Sequence, residues 1–149
     1  DYGAIRSAME RFLADSGARC ALLVDRAGQL VATVGEPPRF DATAFATLTA
    51  ADFSANDQLA QLLGETEFSS LVHRGDQESM FLADIARRII LVVLFDARTT
   101  EGLVRLKARG VTEELTTRFR ALFERGAAEP SSPTGILAGA EDEIDQLFR

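Results

Sequence analysis

The sequence predicts an α/β chain of the α+β type, with one five-stranded antiparallel sheet carrying helices on its faces in the order α-β-β-α-β-β-β-α. Three observations carry this expectation. Apolar residues recur at helical spacing in three segments of the chain. Five short runs rich in Val, Ile, Leu and Thr lie between turn-forming residues. The runs follow one another as hairpin neighbours rather than as repeated strand-helix units, so a parallel nucleotide-binding sheet is a poor fit.

In chain order, Ile5, Ala8, Met9, Phe12 and Leu13 form one stripe of an amphipathic helix, which Ser16 and Gly17 end. Residues 20–24 are continuously apolar, 25–28 carry turn chemistry, and 30–34 are rich in Val and Thr, which makes a β-hairpin with a short loop. Gly35, Glu36, Pro37, Pro38 and Arg39 break the second strand, and Asp41 can cap the next helix. That helix spans residues 42–63 and ends at Gly64. Phe45, Leu48, Leu59, Leu62 and Leu63 are expected to supply its core stripe. Ala42, Ala44, Ala46, Ala50, Ala51, Ala55 and Ala60 keep much of the remainder small, which serves either helix propensity alone or the close approach of another surface.

Residues 68–72, 79–85 and 88–95 predict three further strands, with turns at 73–78 and 86–87. The stretch 89–95 lacks alternation and should be central, buried on both faces. Val104, Ala108, Val111, Leu115, Phe119 and Leu122 then mark one long amphipathic helix, interrupted by Gly110 at a cost of about 1 kcal/mol relative to Ala.

The chain has 149 residues and a formal net charge of −7. Its length suits a single core. The acidic balance disfavours nucleic acid and anionic membrane surfaces, which call for concentrated Lys and Arg. No apolar run approaches the roughly 20 residues of a membrane-spanning helix. One Cys cannot form an internal disulfide, and one Cys with one His cannot complete a zinc site of those ligand types. Both suit a reducing cytoplasm. The chain opens on Asp1, so the native start is expected upstream and no targeting signal can be judged from it.

Charge is unevenly spread. Residues 1–125 hold 15 Arg or Lys against 18 Asp or Glu, whereas residues 126–149 hold one against five. The division expected from this is a globular domain over 1–125, a flexible Pro/Ser/Gly linker over 126–139 and an acidic amphipathic motif over 140–149. In the last, Ile144, Leu147 and Phe148 share one helical face. The motif is either a solvated tail or a segment that folds onto a partner groove.

Catalytic chemistry finds little support. Lys107 has no preceding glycine loop, so no phosphate-binding P-loop is present. His73 is expected at a strand end or turn with no nucleophile in its context, and Cys20 opens an apolar strand where it behaves as a small apolar side chain. Arg87 and Arg88 are expected to guard a strand edge rather than bind an anion. No catalytic residue, metal ligand or cofactor site is assigned. An interaction module is what remains.

The hairpin 22–30, the segments 48–51 and 59–65, and the stretch 90–96 with 103–106 together resemble the Roadblock family of dynein light-chain-like domains, and within it the MglB branch. The acidic segment 142–148 resembles a C-terminal motif of the same branch. The resemblance covers nearly the whole chain. It implies a Roadblock/longin/profilin-like fold and a cytoplasmic homodimer, with sheets joined edge to edge and second helices side by side. It further implies that two copies engage one MglA-like Ras-family GTPase, accelerate its hydrolysis without donating an arginine finger, and act in bacterial cell polarity or gliding motility at a cell pole. The alternative within the family is a scaffold that tethers a GTPase or signalling complex without accelerating hydrolysis; a small-molecule sensor domain is a third reading.

Carried over residue by residue, the GTPase surface falls on Ala51, Asp52, Ser54, Ala55 and Gln58 of the second helix. Ile144, Leu147 and Phe148 form the C-terminal partner motif, which in some relatives reaches another part of the GTPase and is linked to nucleotide exchange. Where the family pattern has Gly-Asn, this chain has Ala51-Asp52, and Asn56, Asp57 and Gln58 replace smaller residues.

Overall fold

The computed structural model describes residues 2–65 and 70–128. Its elements are α1 (Tyr2–Ser16), β1 (Cys20–Asp25), β2 (Leu30–Gly35), α2 (Ala42–Leu62), β3 (Ser70–Arg74), β4 (Ser79–Ile85), β5 (Ile89–Phe95) and α3 (Glu101–Ala128). The order is the one expected. All strands pair antiparallel in one sheet, β2-β1-β5-β4-β3, which leaves β2 and β3 as edges.

β5 is central and every one of its residues is buried. Its side chains divide by parity, as a pleated strand requires. Ile89, Leu91, Val93 and Phe95 face a large cluster with Ile5, Met9 and Phe12 of α1 and Val104, Leu115 and Phe119 of α3. Ile90, Val92 and Leu94 face a smaller cluster with Leu22, Leu82 and Ala46, Ala50 and Phe53 of α2. The sheet therefore carries two helices on one face and α2 alone on the other.

α2 buries the face that its sequence conceals. The inward residues are Ala46, Thr49, Ala50, Phe53, Asn56 and Ala60. Leu48, Leu59, Leu62 and Leu63, expected in the core, are exposed, and Phe45 is only partly buried. Two sets of residues on α2 have helical spacing, and small side chains make the better inner face because they let the helix lie close to the sheet. Phe53 is the one bulky aromatic among them.

The ends of α2 are set by side chain and backbone. Asp41 accepts from the Thr43 and Ala44 amides, the donors a helix start leaves unpaired. At the other end Gly64 adopts φ +83°, and its N–H and that of Glu65 donate to the Gln61 and Ala60 carbonyls, a Schellman closure. Replacing Asp41 by Ala is expected to lower stability by about 1 kcal/mol, read as a shifted denaturation midpoint.

Two turns differ from expectation. The turn expected over 73–78 starts two residues later, because β3 runs to Arg74 and His73 lies at its end, one residue before the last. The 68–72 expectation begins in residues outside those described. Arg87 and Arg88 do not guard an edge, because β4 and β5 are interior strands. Arg88 lies over the Phe123 ring at 4.4 Å, and the Arg87 N–H donates to Asp84 Oδ2 at 3.0 Å. Ala86 and Arg87 both have positive φ, 54° and 64°, as a type I′ hairpin turn demands. Ala86→Gly is expected to raise stability by about 0.5–1 kcal/mol by removing the left-handed penalty of a Cβ, seen as a higher melting temperature.

Candidate functional site

The outward face of α2 is the candidate site. At 100° per residue, the positions opposite Ala46, Ala50 and Phe53 are Leu48, Ala51, Ala55, Leu59 and Leu62. Leu48 is 70% exposed, Leu59 56% and Leu62 83%. They lie along about 21 Å of helix. A contiguous exposed apolar row of that length is the kind of surface that suits docking of another macromolecule.

The five expected contact residues divide around this row. Ala51 and Ala55 are exposed on it. Ser54 and Gln58, also exposed, lie along the flank nearer the β1–β2 turn. Asp52 lies on the opposite flank, half-buried, with its Oδ2 2.6 Å from His73 Nε2 on β3. It is therefore a tether between helix and edge strand. Sequence reasoning missed Leu48, Leu59 and Leu62 as site residues because large apolar side chains were assigned to the core. Their spacing with Ala51 and Ala55, three or four residues apart, was the available signal. Ile144, Leu147 and Phe148 lie outside the described residues.

The β1–β2 turn holds the other flank of α2. Gly28, at φ +92°, approaches so closely that a Cβ there would stand 3.0 Å from Thr47 Cα. The Arg26 guanidinium donates through Nη1 to Asp57 Oδ2 at 2.8 Å and through Nη2 to Asp84, and its centre lies 4.8 Å from the Phe53 ring centroid. Arg26 thus joins β1–β2, α2 and β4.

Away from α2, several charges are paired with one another. A surface cleft of about 550 Å³ at one end of the sheet is lined by Arg19, Arg39, Phe40 and Arg98 among others. Its acids are already paired: Arg19 reaches Glu36 and Glu78, and Arg98 reaches Glu36 and Asp96. The Arg98 hydrogen bond holds the Asp96 carboxyl below its ordinary range. Cys20 is fully buried, and burial pushes its thiol up, away from the thiolate a nucleophile needs. Among the described residues no group of three or more His, Cys, Asp or Glu could hold a metal ion, and no helix is long and apolar enough to cross a membrane. The arrangement supports docking of a partner on α2.

Comparison with known proteins agrees with this architecture. Residues 6–95 match the Roadblock/LC7 domain. The solved structure of Myxococcus xanthus MglB is similar at 38% identity and a TM-score of 0.75, over 78% of this chain and 95% of that one. The gliding protein MglB of Thermus thermophilus is 32% identical with a TM-score of 0.73, over 78% and 88%. A structure described as MglB with tetrameric arrangement gives the same values. No functionally curated protein matches. A domain match over more than half the chain, with relatives above 30% identity along nearly their whole length, settles kinship: the chain belongs to the Roadblock/LC7 family, in its MglB-like branch.

Proposed function

We propose that this protein is a non-catalytic homodimeric regulator that activates GTP hydrolysis by an MglA-like Ras-family GTPase in bacterial cell polarity or motility. The observation that carries the reading is the second apolar stripe of α2, with Leu48, Ala51, Ala55, Leu59 and Leu62 turned away from the core. A monomer gains nothing by exposing four such turns of helix. The likeness to MglB proteins names the kind of partner.

In this reading two copies join through the β3 edge and place their α2 helices together. Two features favour β3 over β2. Asp52 and His73 bring the α2 surface down to β3, so helix face and strand edge form one continuous surface. β2, in contrast, runs into Pro37 and Pro38, which cannot donate to a further strand. The paired helices then engage one GTPase with two chains. The chain supplies no arginine finger; its energetic contribution is to favour the hydrolysis-competent arrangement of the partner's switch segments. Ile144, Leu147 and Phe148 form a second contact on the same GTPase. The acidic character of the tail serves partner choice and encounter rate.

The test is GTP turnover by the Ras-like GTPase encoded beside this protein, with and without the chain. Saturable acceleration is the expected result. Co-elution without acceleration would make the protein a tether, and neither effect would overturn the GTPase assignment.

A further inference from the structure

We propose that Arg26 is the positioning residue of the docking face, fixing where α2 presents Ala51, Ser54, Ala55 and Gln58; the inference rests on the reading of α2 as the docking helix. The inner face of α2 is short of features that would set its position. Ala46, Ala50 and Ala60 are smooth, Phe53 alone is bulky and aromatic, and of the two buried polar side chains, Thr49 and Asn56, the Asn56 amide nitrogen has no hydrogen-bond partner among the described residues. Small side chains let a helix lie close to a sheet, but a row of methyl groups does little to resist sliding or rotation.

What resists is polar and lies at the flanks. The β1–β2 turn touches α2 twice: at Thr47 through Gly28, and at Asp57 through Arg26. Ten residues separate those points, about 15 Å of helix, which is enough to define an axis. Asp52 to His73 supplies a third point on the other flank. Arg26 differs from the other two contacts in having three partners. It bridges Asp57 on the helix and Asp84 on the sheet, and it covers the Phe53 ring. Asp84 is itself fixed, its second oxygen accepting from the Arg87 amide. The Arg26 Nε is buried without an acceptor, so stability alone is a weak reason for the residue. Partly buried ionic clusters often add less stability than apolar packing of the same volume, and their best-attested role is to select one register. The clamp acts on the turns 53–57, and the outward side of those turns carries Ser54 and Ala55. A change at Arg26 should therefore move the docking face without touching the partner.

The experiment uses the full chain with Arg26→Lys, which keeps the charge but loses the planar fork that spans two carboxylates. A control, Phe119→Leu, weakens the cluster on the opposite face of the sheet. Two quantities are measured: backbone amide shifts of Ala51, Ser54, Ala55 and Gln58, and the dissociation constant for self-association from a dilution series. Arg26→Lys is expected to shift those amides and weaken self-association about tenfold, while Phe119→Leu lowers the melting temperature and leaves both unchanged. Equal effects of the two variants would reduce Arg26 to a structural residue and overturn the proposal, as would unmoved amides in Arg26→Lys. If the wild-type chain stays monomeric at every concentration, the homodimer fails as a reading of the protein, and the amide shifts still decide the role of Arg26.

Discussion

Replacing Ala55 by Arg is expected to abolish self-association and partner binding while leaving the domain folded. Ala55 is exposed on the side of α2 opposite the buried Ala46, Ala50 and Phe53. Arg is a good helix former, so in the isolated domain the change is nearly neutral. In a complex the outcome reverses, because the guanidinium would enter the centre of an apolar row and, in a two-fold dimer, meet its own copy. An uncompensated charge buried in this way costs about 3–5 kcal/mol, a loss of affinity of more than about hundredfold. Sedimentation of the variant beside its thermal melt separates the two effects. Unchanged affinity with an unchanged melt would remove α2 from the interface.

The second large effect is Phe53→Ala, which should cost about 3–5 kcal/mol of folding stability. Phe53 is fully buried and fills the space between α2 and the strands that carry Leu22, Leu82, Ile90 and Val92. The alanines around it cannot expand into the cavity. The variant also takes away the ring under Arg26, so the clamp weakens along with the packing. The cost should exceed that of Asp41→Ala severalfold, since a lost cap is worth only about 1 kcal/mol. Denaturant melts of the two variants in parallel give the ratio. Similar midpoints would mean that α2 is held by its ends rather than by its inner face.

The strands and helices and their order along the chain were legible because their signals are local. Ile89 to Phe95 is an unbroken apolar run, and a strand of that kind belongs at the centre of a sheet covered on both sides. The stripe from Val104 to Leu122 is equally plain, and all six of its marker residues are buried. α2 was harder to read. It carries two helical stripes on opposite faces, one of alanines with Phe53 and one of leucines with alanines, and spacing alone cannot say which faces inward. Side-chain volume pointed to the leucines. The narrow space over β1, β5 and β4 favours the alanines, a property of the assembled sheet that no window of sequence contains.

The candidate site shows the same division. Ala51 and Ala55 followed from a family resemblance and lie on the exposed row. The tether between Asp52 and His73, 21 residues apart, and the clamp between Arg26, Asp57 and Asp84 join residues distant in sequence. Such pairs become visible only when the strands are in register. His73 gained its partner because β3 extends two residues beyond the strand expected from 68–72, which carries His73 beside α2.

The central claim, that the outward face of α2 is the docking surface, is tested most directly by amide hydrogen exchange on the full chain with and without its GTP-loaded GTPase. Slowed exchange is expected in peptides covering residues 48–62, with little change in those covering α1 and α3. Protection confined to α1 and α3, in a complex that demonstrably forms, would contradict it.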